Sequence, residues 1–324
     1  MGKEVILITG ANGQIGSVLA EELRQIYGIA NVICSDLQAP RQTIIGHFEQ
    51  LNVLDAKRMG QIVEKYKVSQ IYHLAALLSA KGEENPMLTW NVNMQGFLHV
   101  LQVAQNTGIR KIFHPSSIAV FGGRTPKQNT PQFPPLEPST MYGITKKVGE
   151  DLANYYFDKF QIDVRGIRYP GLISYQSMPG GGTTDYAVDI FHKAVNGEHF
   201  DCFLRADSKL PMMYMPDAIR ATLELMEAPV DQLSIHYAYN VQAMSFTPAE
   251  IAAEIQLHIP DFSISYTPDF RQAIADSWIE NIDDSLARQD WGWQEEYDLS
   301  SMTKDMIEQL QKRKKPNYNE TQFL

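Results

Sequence analysis

Tyr142 and Lys146 stand four residues apart in the run Tyr142-Gly143-Ile144-Thr145-Lys146. On a helix that spacing puts both side chains on one face, about one turn from each other. A free phenol has a pKa of roughly 10, too high for a base at neutral pH, and a nearby ammonium stabilises the phenolate. The pair is therefore a candidate general base with its electrostatic helper. Y-x-x-x-K alone is a common pattern whose competing reading is a plain surface helix. Its context is more telling: Ser116-Ser117 close the preceding predicted strand, and a glycine-rich loop lies upstream. That loop, Gly10-Ala11-Asn12-Gly13-Gln14-Ile15-Gly16, follows an apolar run and opens a helix-periodic segment. Glycines there permit a tight turn, close backbone approach to a pyrophosphate, and helix amides facing the phosphates. Asp36 ends the second predicted strand, 20 residues past Gly16. A carboxylate at that place binds ribose hydroxyls and repels a 2′-phosphate, so the pattern favours NAD over NADP.

The elements that must position these groups alternate along the chain. Val5 to Ile8 read as a strand buried on both faces, and Ile15, Val18, Leu19, Leu23 and Ile26 as a helix stopped at Gly28. Strands follow at 31–36, 48–53, 70–76 and 111–115. A helix carrying Met59, Ile62, Val63 and Tyr66 and a long helix from Pro86 to about Asn106 separate them. Parallel strands need such crossovers, so the predicted fold is α/β, a doubly wound parallel (Rossmann) sheet. The stretch from Arg124 to Pro138 holds five prolines and excludes a helix or central strand; it reads as a surface connection or a loop over the ligand end of the sheet. Beyond Arg168 the pattern loosens, with short helices at 185–195, 216–226 and 248–258 between brief strands. The expected organisation is a dinucleotide-binding domain over 1–168 and a smaller α/β substrate domain over 169–315. Some of its segments are expected to return to the first domain, and 316–324 to form a tail.

Composition removes other classes. The chain has 324 residues, 44% hydrophobic and 20% charged, ample for a large domain with a smaller partner. A formal charge of −10 argues against nucleic acid or an anionic membrane as principal ligand. Cys34 and Cys202 make neither a disulfide framework nor a C-x-x-C site, which points to the reducing cytoplasm. No apolar run approaches the roughly 20 residues of a membrane helix, and the apolar start is too short for a signal peptide. The eight histidines are scattered without H-E-x-x-H spacing, so no metal site is expected. His114 reads as a satisfied strand-end residue and Arg168 as a buried structural arginine.

Taken together, GANGQIG, HLAALLS (73–79), NVN (91–93), PSSIAVFG (115–122), YGITK (142–146) and RYPG (168–171) resemble the extended short-chain dehydrogenase/reductase superfamily, over essentially the whole chain and in order. PGGGTTDYAVDIF (179–191) and LPMMYMPDA (210–218) look like its branch of NAD-dependent L-threonine 3-dehydrogenases, relatives of UDP-galactose epimerase. The resemblance implies that Tyr142 is the base and that Lys146 lowers its pKa and binds the nicotinamide ribose. It implies that Ser117 orients the reacting oxygen, with Ser116 the alternative. Asn91 would help position the cofactor region and Leu74, Ala75 and Ala76 line its adenosine side. Tyr169 to Leu172 would border the nicotinamide and Asn52 and Val53 reach the adenine, although the superfamily often has Asp where Asn52 stands. Ser79, Thr184 and Asp185 become candidates for holding L-threonine, Asp185 through its ammonium group. Thr183, Thr184 and Asp185 also suit a helix N-cap and acidic first turn, and Gly180-Gly181-Gly182 suit a hinge. The implied partner is a second copy of the chain, through the helices from Pro86 and from Tyr142. The rival enzyme reading is a nucleotide-sugar epimerase or dehydratase of the same superfamily; a binding module would have no use for the phenol–ammonium pair.

Overall fold

Ile6, Leu7 and Ile8 face alternate sides of one strand. Ile6 and Ile8 pack with Leu19 and Leu23, while Leu7 packs with Ile62, Val63, Val100 and Leu101. Such two-sided burial is what a parallel strand between two helical layers requires. The computed structural model describes residues 4–40, 45–176, 178 and 182–314; the expected tail at 316–324 and the hinge residues Gly180 and Gly181 lie outside them. Six strands form the central sheet: β1 (Ile6–Thr9), β2 (Val32–Asp36), β3 (His47–Gln50), β4 (Gln70–His73), β5 (Lys111–Phe113) and, past a two-residue β6 (Ser116–Ser117), β7 (Asp163–Arg165). Their order is β3-β2-β1-β4-β5-β7, all parallel. The order reverses between β1 and β4, and ligands of such sheets bind outside the strand ends at that reversal.

Helices α1 (Gln14–Tyr27), α2 (Ala56–Tyr66), α3 (Ser79–Glu83), α4 (Pro86–Trp90), α5 (Gly96–Thr107) and α6 (Met141–Phe160) make the crossovers. The long helix expected from Pro86 is interrupted by a π turn at Asn91–Gln95 between α4 and α5. At this wider turn Asn93 is buried, whereas Asn91 is exposed on the outer side. Chain 74–78 leaves the sheet earlier than the apolar pattern of 70–76 suggests, because those residues turn aside beyond the strand end.

Past β7 the chain adds β8 (Ile167–Tyr169), β9 (Gly171–Ile173), α7 (Tyr186–Asn196), β10 (Phe200–Cys202), β11 (Leu210–Tyr214), α8 (Met215–Glu227), β12 (Tyr239–Asn240), β13 (Met244–Phe246), α9 (Pro248–His258), β14 (Ile264–Tyr266), α10 (Arg271–Ser277), α11 (Ser285–Trp291) and α12 (Leu299–Lys314). A third core, with Tyr186, Phe191, Phe246, Ile251 and Met306, gathers α7, α9, α12 and strands β10, β11 and β13. The proline-rich stretch is the surface connection expected, mostly exposed and pinned by a few buried residues. Thr130 and Gln132 are buried, and Gln132 is bonded to the backbone of Ala238 and Asn240. No residue of 124–138 is among the described residues lining the main cleft.

Candidate active site

A cleft open to solvent lies at the strand reversal. Its floor is the glycine loop. Gly10 has a φ of +74°, and a Cβ there would stand 2.6 Å from the Ala75 amide nitrogen. Gly16 is equally bare, since a Cβ would meet the Gly10 carbonyl oxygen at 2.3 Å. The turn is thus packed to contact and only glycine fits. No side chain caps α1, so the first-turn amides of Gln14, Ile15 and Gly16 keep the unpaired donors of a helix start, and all three residues line the cleft. Bare backbone with a row of donors at a helix N-terminus fits a pyrophosphate. Asp36 stands beside the loop and accepts from the Asn12 amide at 3.1 Å. A carboxylate there fits the diol of an adenosine ribose.

Tyr142 enters the cleft from the first turn of α6. Thr140 caps that helix, accepting from the Gly143 amide at 3.1 Å. Gly143 is required because a Cβ would fall 2.1 Å from the Ala119 carbonyl oxygen. The helix start therefore abuts the turn after β6, which sets Tyr142 in the same cleft lining as Ser117, whose hydroxyl favours the phenolate. Adjacent strand residues point opposite ways. Ser116 accordingly donates to Glu150 Oε1 at 2.5 Å, so Ser117 rather than Ser116 faces the phenol. Glu150 is itself held by Arg168, through Nε at 2.9 Å and Nη2 at 2.7 Å. Arg168 also donates to the Gln132 carbonyl and to Asn240, as suits a buried structural arginine.

Lys146 is buried, donates to the Pro115 carbonyl at 2.7 Å, and lies 5.7 Å from the Tyr142 ring centre. Burial lowers its pKa to about 7, partly opposed by Glu150. Burial likewise pushes Tyr142 up to about 12, and the group that pulls it down is the Ser117 hydroxyl. Burial and Ser117 are the causes that act on the phenol here, with none from Lys146 beside them. Desolvation penalises both charges, and Lys146 directs one of its three N–H donors to the backbone. His73 and His114, stacked with ring centres 5.4 Å apart, are held neutral by burial and by Lys146. His114 is not the satisfied residue expected: its Nδ1 finds no partner among the described residues, and its ring lies on Phe97 instead.

Of the residues singled out by sequence, the structure brings Gly10, Gly13, Gln14, Ile15, Gly16, Leu74, Ala76, Ser79, Ser116, Ser117, Tyr142, Lys146, Tyr169, Leu172, Thr184 and Asp185 to one cleft. Ala75 backs the Gly10 turn. Asn52 is exposed, its side chain closing a turn on the Leu54 amide, and buried Val53 packs at Gly96. Asn91 is exposed and not among the lining residues, whereas Asn93, two residues on, is buried. Asn93 bonds both backbone groups of Leu77, at 2.8 and 3.1 Å, and the Thr145 hydroxyl at 3.1 Å. This ties the chain after β4 to α6. The NVN run contains both asparagines, and helical phase relative to the π turn is what separates them. Asp185 sits at the N-cap of α7 without capping it, and its carboxylate accepts from the Gly182 amide at 2.7 Å. Trp278, which sequence reasoning missed, completes the lining. Among the described residues no group of acidic, histidine or cysteine side chains could hold a metal ion, and no helix is long and apolar enough to cross a membrane.

The profile of the NAD dependent epimerase/dehydratase family matches residues 6–241. An uncharacterized epimerase/dehydratase of Staphylococcus haemolyticus is 47% identical over 314 residues, covering 96% of this chain and 98% of that one. Among solved structures, the holo form of a GalE-like L-threonine dehydrogenase from Cupriavidus necator superposes with a TM-score of 0.93 at 54% identity, covering 94% of this chain and 99% of its own. A monomeric L-threonine 3-dehydrogenase from a metagenome, in its apo form, gives 0.93 at 48% identity, with 96% and 100% covered.

Proposed function

The chain belongs to the NAD dependent epimerase/dehydratase family, and from that premise we propose that it oxidises the β-hydroxyl of L-threonine to give 2-amino-3-oxobutanoate. The observation that carries the reading is the meeting of Tyr142, Ser117 and Lys146 in the cleft that the glycine loop floors. The two L-threonine dehydrogenases of similar fold support the substrate.

In this reading the amides of Gln14, Ile15 and Gly16 hold the pyrophosphate of NAD, Asp36 its adenosine ribose, Lys146 its nicotinamide ribose, and Tyr169 to Leu172 border its nicotinamide. When bound, it supplies the hydride acceptor. Tyr142 Oη takes the hydroxyl proton as the β-carbon gives up its hydride, leaving a ketone. Ser117 holds the same oxygen and favours the phenolate by its hydrogen bond. Lys146, with a pKa of about 7, gains its proton readily at neutral pH, and each added positive charge beside the phenol favours proton loss there. Asp185 receives the substrate ammonium, with Thr184 and Ser79 beside it. A nucleotide diphosphate would call for cations, yet Lys146 and Asp185 are the only charged groups among the described lining residues. That disfavours the nucleotide-sugar alternative.

We assign residues 1–168 to cofactor binding and most of 169–315 to the substrate side. The separate core around Tyr186 and Phe246 supports this, with α8 and β12 returning to the sheet side. Exposed Met87, Leu88 and Trp90 on α4, and Ile144 and Tyr155 on α6, support a homodimer through these helices. The two buried free thiols suit the cytoplasm. NAD reduction with L-threonine, D-threonine, L-serine, L-allo-threonine and UDP-galactose, without added zinc, tests the reaction. L-Threonine should give NADH, and Tyr142→Phe should lower turnover about 100- to 10,000-fold while NADH binding persists. Turnover of UDP-galactose without threonine oxidation would overturn the proposal.

A further inference from the structure

Trp278 follows α10, is 5% exposed, and lines the same cleft as Tyr142 and Ser117. Its indole Nε1–H is buried with no acceptor among the described residues. Thr183, 1% exposed and in the same lining, has a hydroxyl oxygen in the same condition. Native proteins leave few buried polar groups unpaired, and those they leave call for a ligand, water or ion. Two such groups on residues that line one cleft, Thr183 directly before Thr184 and Asp185 in the chain, point to a ligand that brings acceptors.

The charges of the cleft say which acceptor. Lys146 is the one cation among its described lining residues, and its ammonium already donates to Pro115. Arg168, the nearest guanidinium in sequence to the lining, is occupied by Glu150, Gln132 and Asn240. A zwitterionic substrate that sets its ammonium against Asp185 thus finds no cation for its carboxylate but Lys146, whose remaining N–H donors the proposed reading gives to the nicotinamide ribose. We propose that the Trp278 indole N–H, together with the Thr183 hydroxyl, binds the carboxylate of the amino-acid substrate, so that neutral donors hold the anion. This rests on the reading of the cleft as an amino-alcohol dehydrogenase site and names the element that restricts it to amino acids. A site built around such donors rejects an analogue lacking the acceptor, because its buried donors stay unpaired.

The test compares L-threonine with 1-amino-2-propanol, which keeps the hydroxyl and ammonium and lacks the carboxylate. Trp278→Phe retains the ring and removes the N–H. It should raise the KM for L-threonine about 10- to 100-fold, the span of one hydrogen bond to a charged group, with kcat little changed. The KM for 1-amino-2-propanol should stay where it was, so the preference between the two collapses by the same factor. Thr183→Val, nearly isosteric, should move the preference the same way by less. NADH titration by fluorescence reports folding, and if one variant fails to bind NADH the other decides. An unchanged preference in NADH-binding variants overturns the inference while wild-type threonine oxidation upholds the function. A wild-type protein inert to L-threonine overturns both.

Discussion

Lys146 is placed at the expense of stability, and the size of that expense follows from its surroundings. Burial takes its pKa from 10.5 to about 7, with Glu150 offsetting part of the effect. Between those values the unfolded chain binds more protons than the native one, so stability rises with pH across the window. The penalty is full below about pH 7 and gone above about pH 10.5. Linkage puts it at up to about 4 kcal/mol at pH 7 and about 2 kcal/mol at pH 9. Lys146→Met keeps most of the volume and removes the titration. It also leaves the Pro115 carbonyl unpaired, a loss of about 1 kcal/mol that does not vary with pH. The variant should therefore be more stable than the native protein at about pH 7, by up to about 3 kcal/mol, and that advantage should shrink by about 2 kcal/mol toward pH 9. Urea unfolding of both proteins at both pH values, without NAD, measures it. A difference between the two proteins that is identical at both pH values would refute a desolvated lysine in this cleft.

Two further outcomes can be checked. Asp36→Asn should lower kcat/KM for NAD about 10-fold and raise the NADP-to-NAD ratio, because it removes a carboxylate that accepts from ribose hydroxyls and repels a 2′-phosphate; an unchanged ratio in steady-state assays would remove Asp36 from the cofactor site. Light scattering should give about twice the 36.7 kDa chain mass, and Trp90→Glu, placed in the exposed apolar face, should shift the mass toward one chain; a wild-type monomer rules out the dimer.

What the sequence made legible is what is local. The glycine loop works through a turn, a helix start and one strand end within 16 residues, and the Tyr142–Lys146 pair through one helical turn, so both are visible as spacing. The choice between Ser116 and Ser117 was not local: strand alternation says they diverge, but Glu150 and Arg168, brought in by α6 and β8, decide which one faces the phenol. Asn93 was hidden by the π turn, which shifts helical phase so that the outer asparagine looks equivalent to the buried one. Trp278 arrives from α10, more than a hundred residues beyond Tyr142, in a segment whose pattern reads as ordinary core. The protonation of Lys146 depends on desolvation, a property of the whole fold that no short motif carries.

The contact of Gly143 with the Ala119 carbonyl has an entropic side. A methyl group's width would part the start of α6 from the turn after β6, and with it the phenol from the serine hydroxyl. Because that seam closes as the chain folds, the rotational and translational freedom of the two oxygens is surrendered once, during folding. Each turnover then meets a preassembled proton acceptor, and only the arriving alcohol has to be oriented.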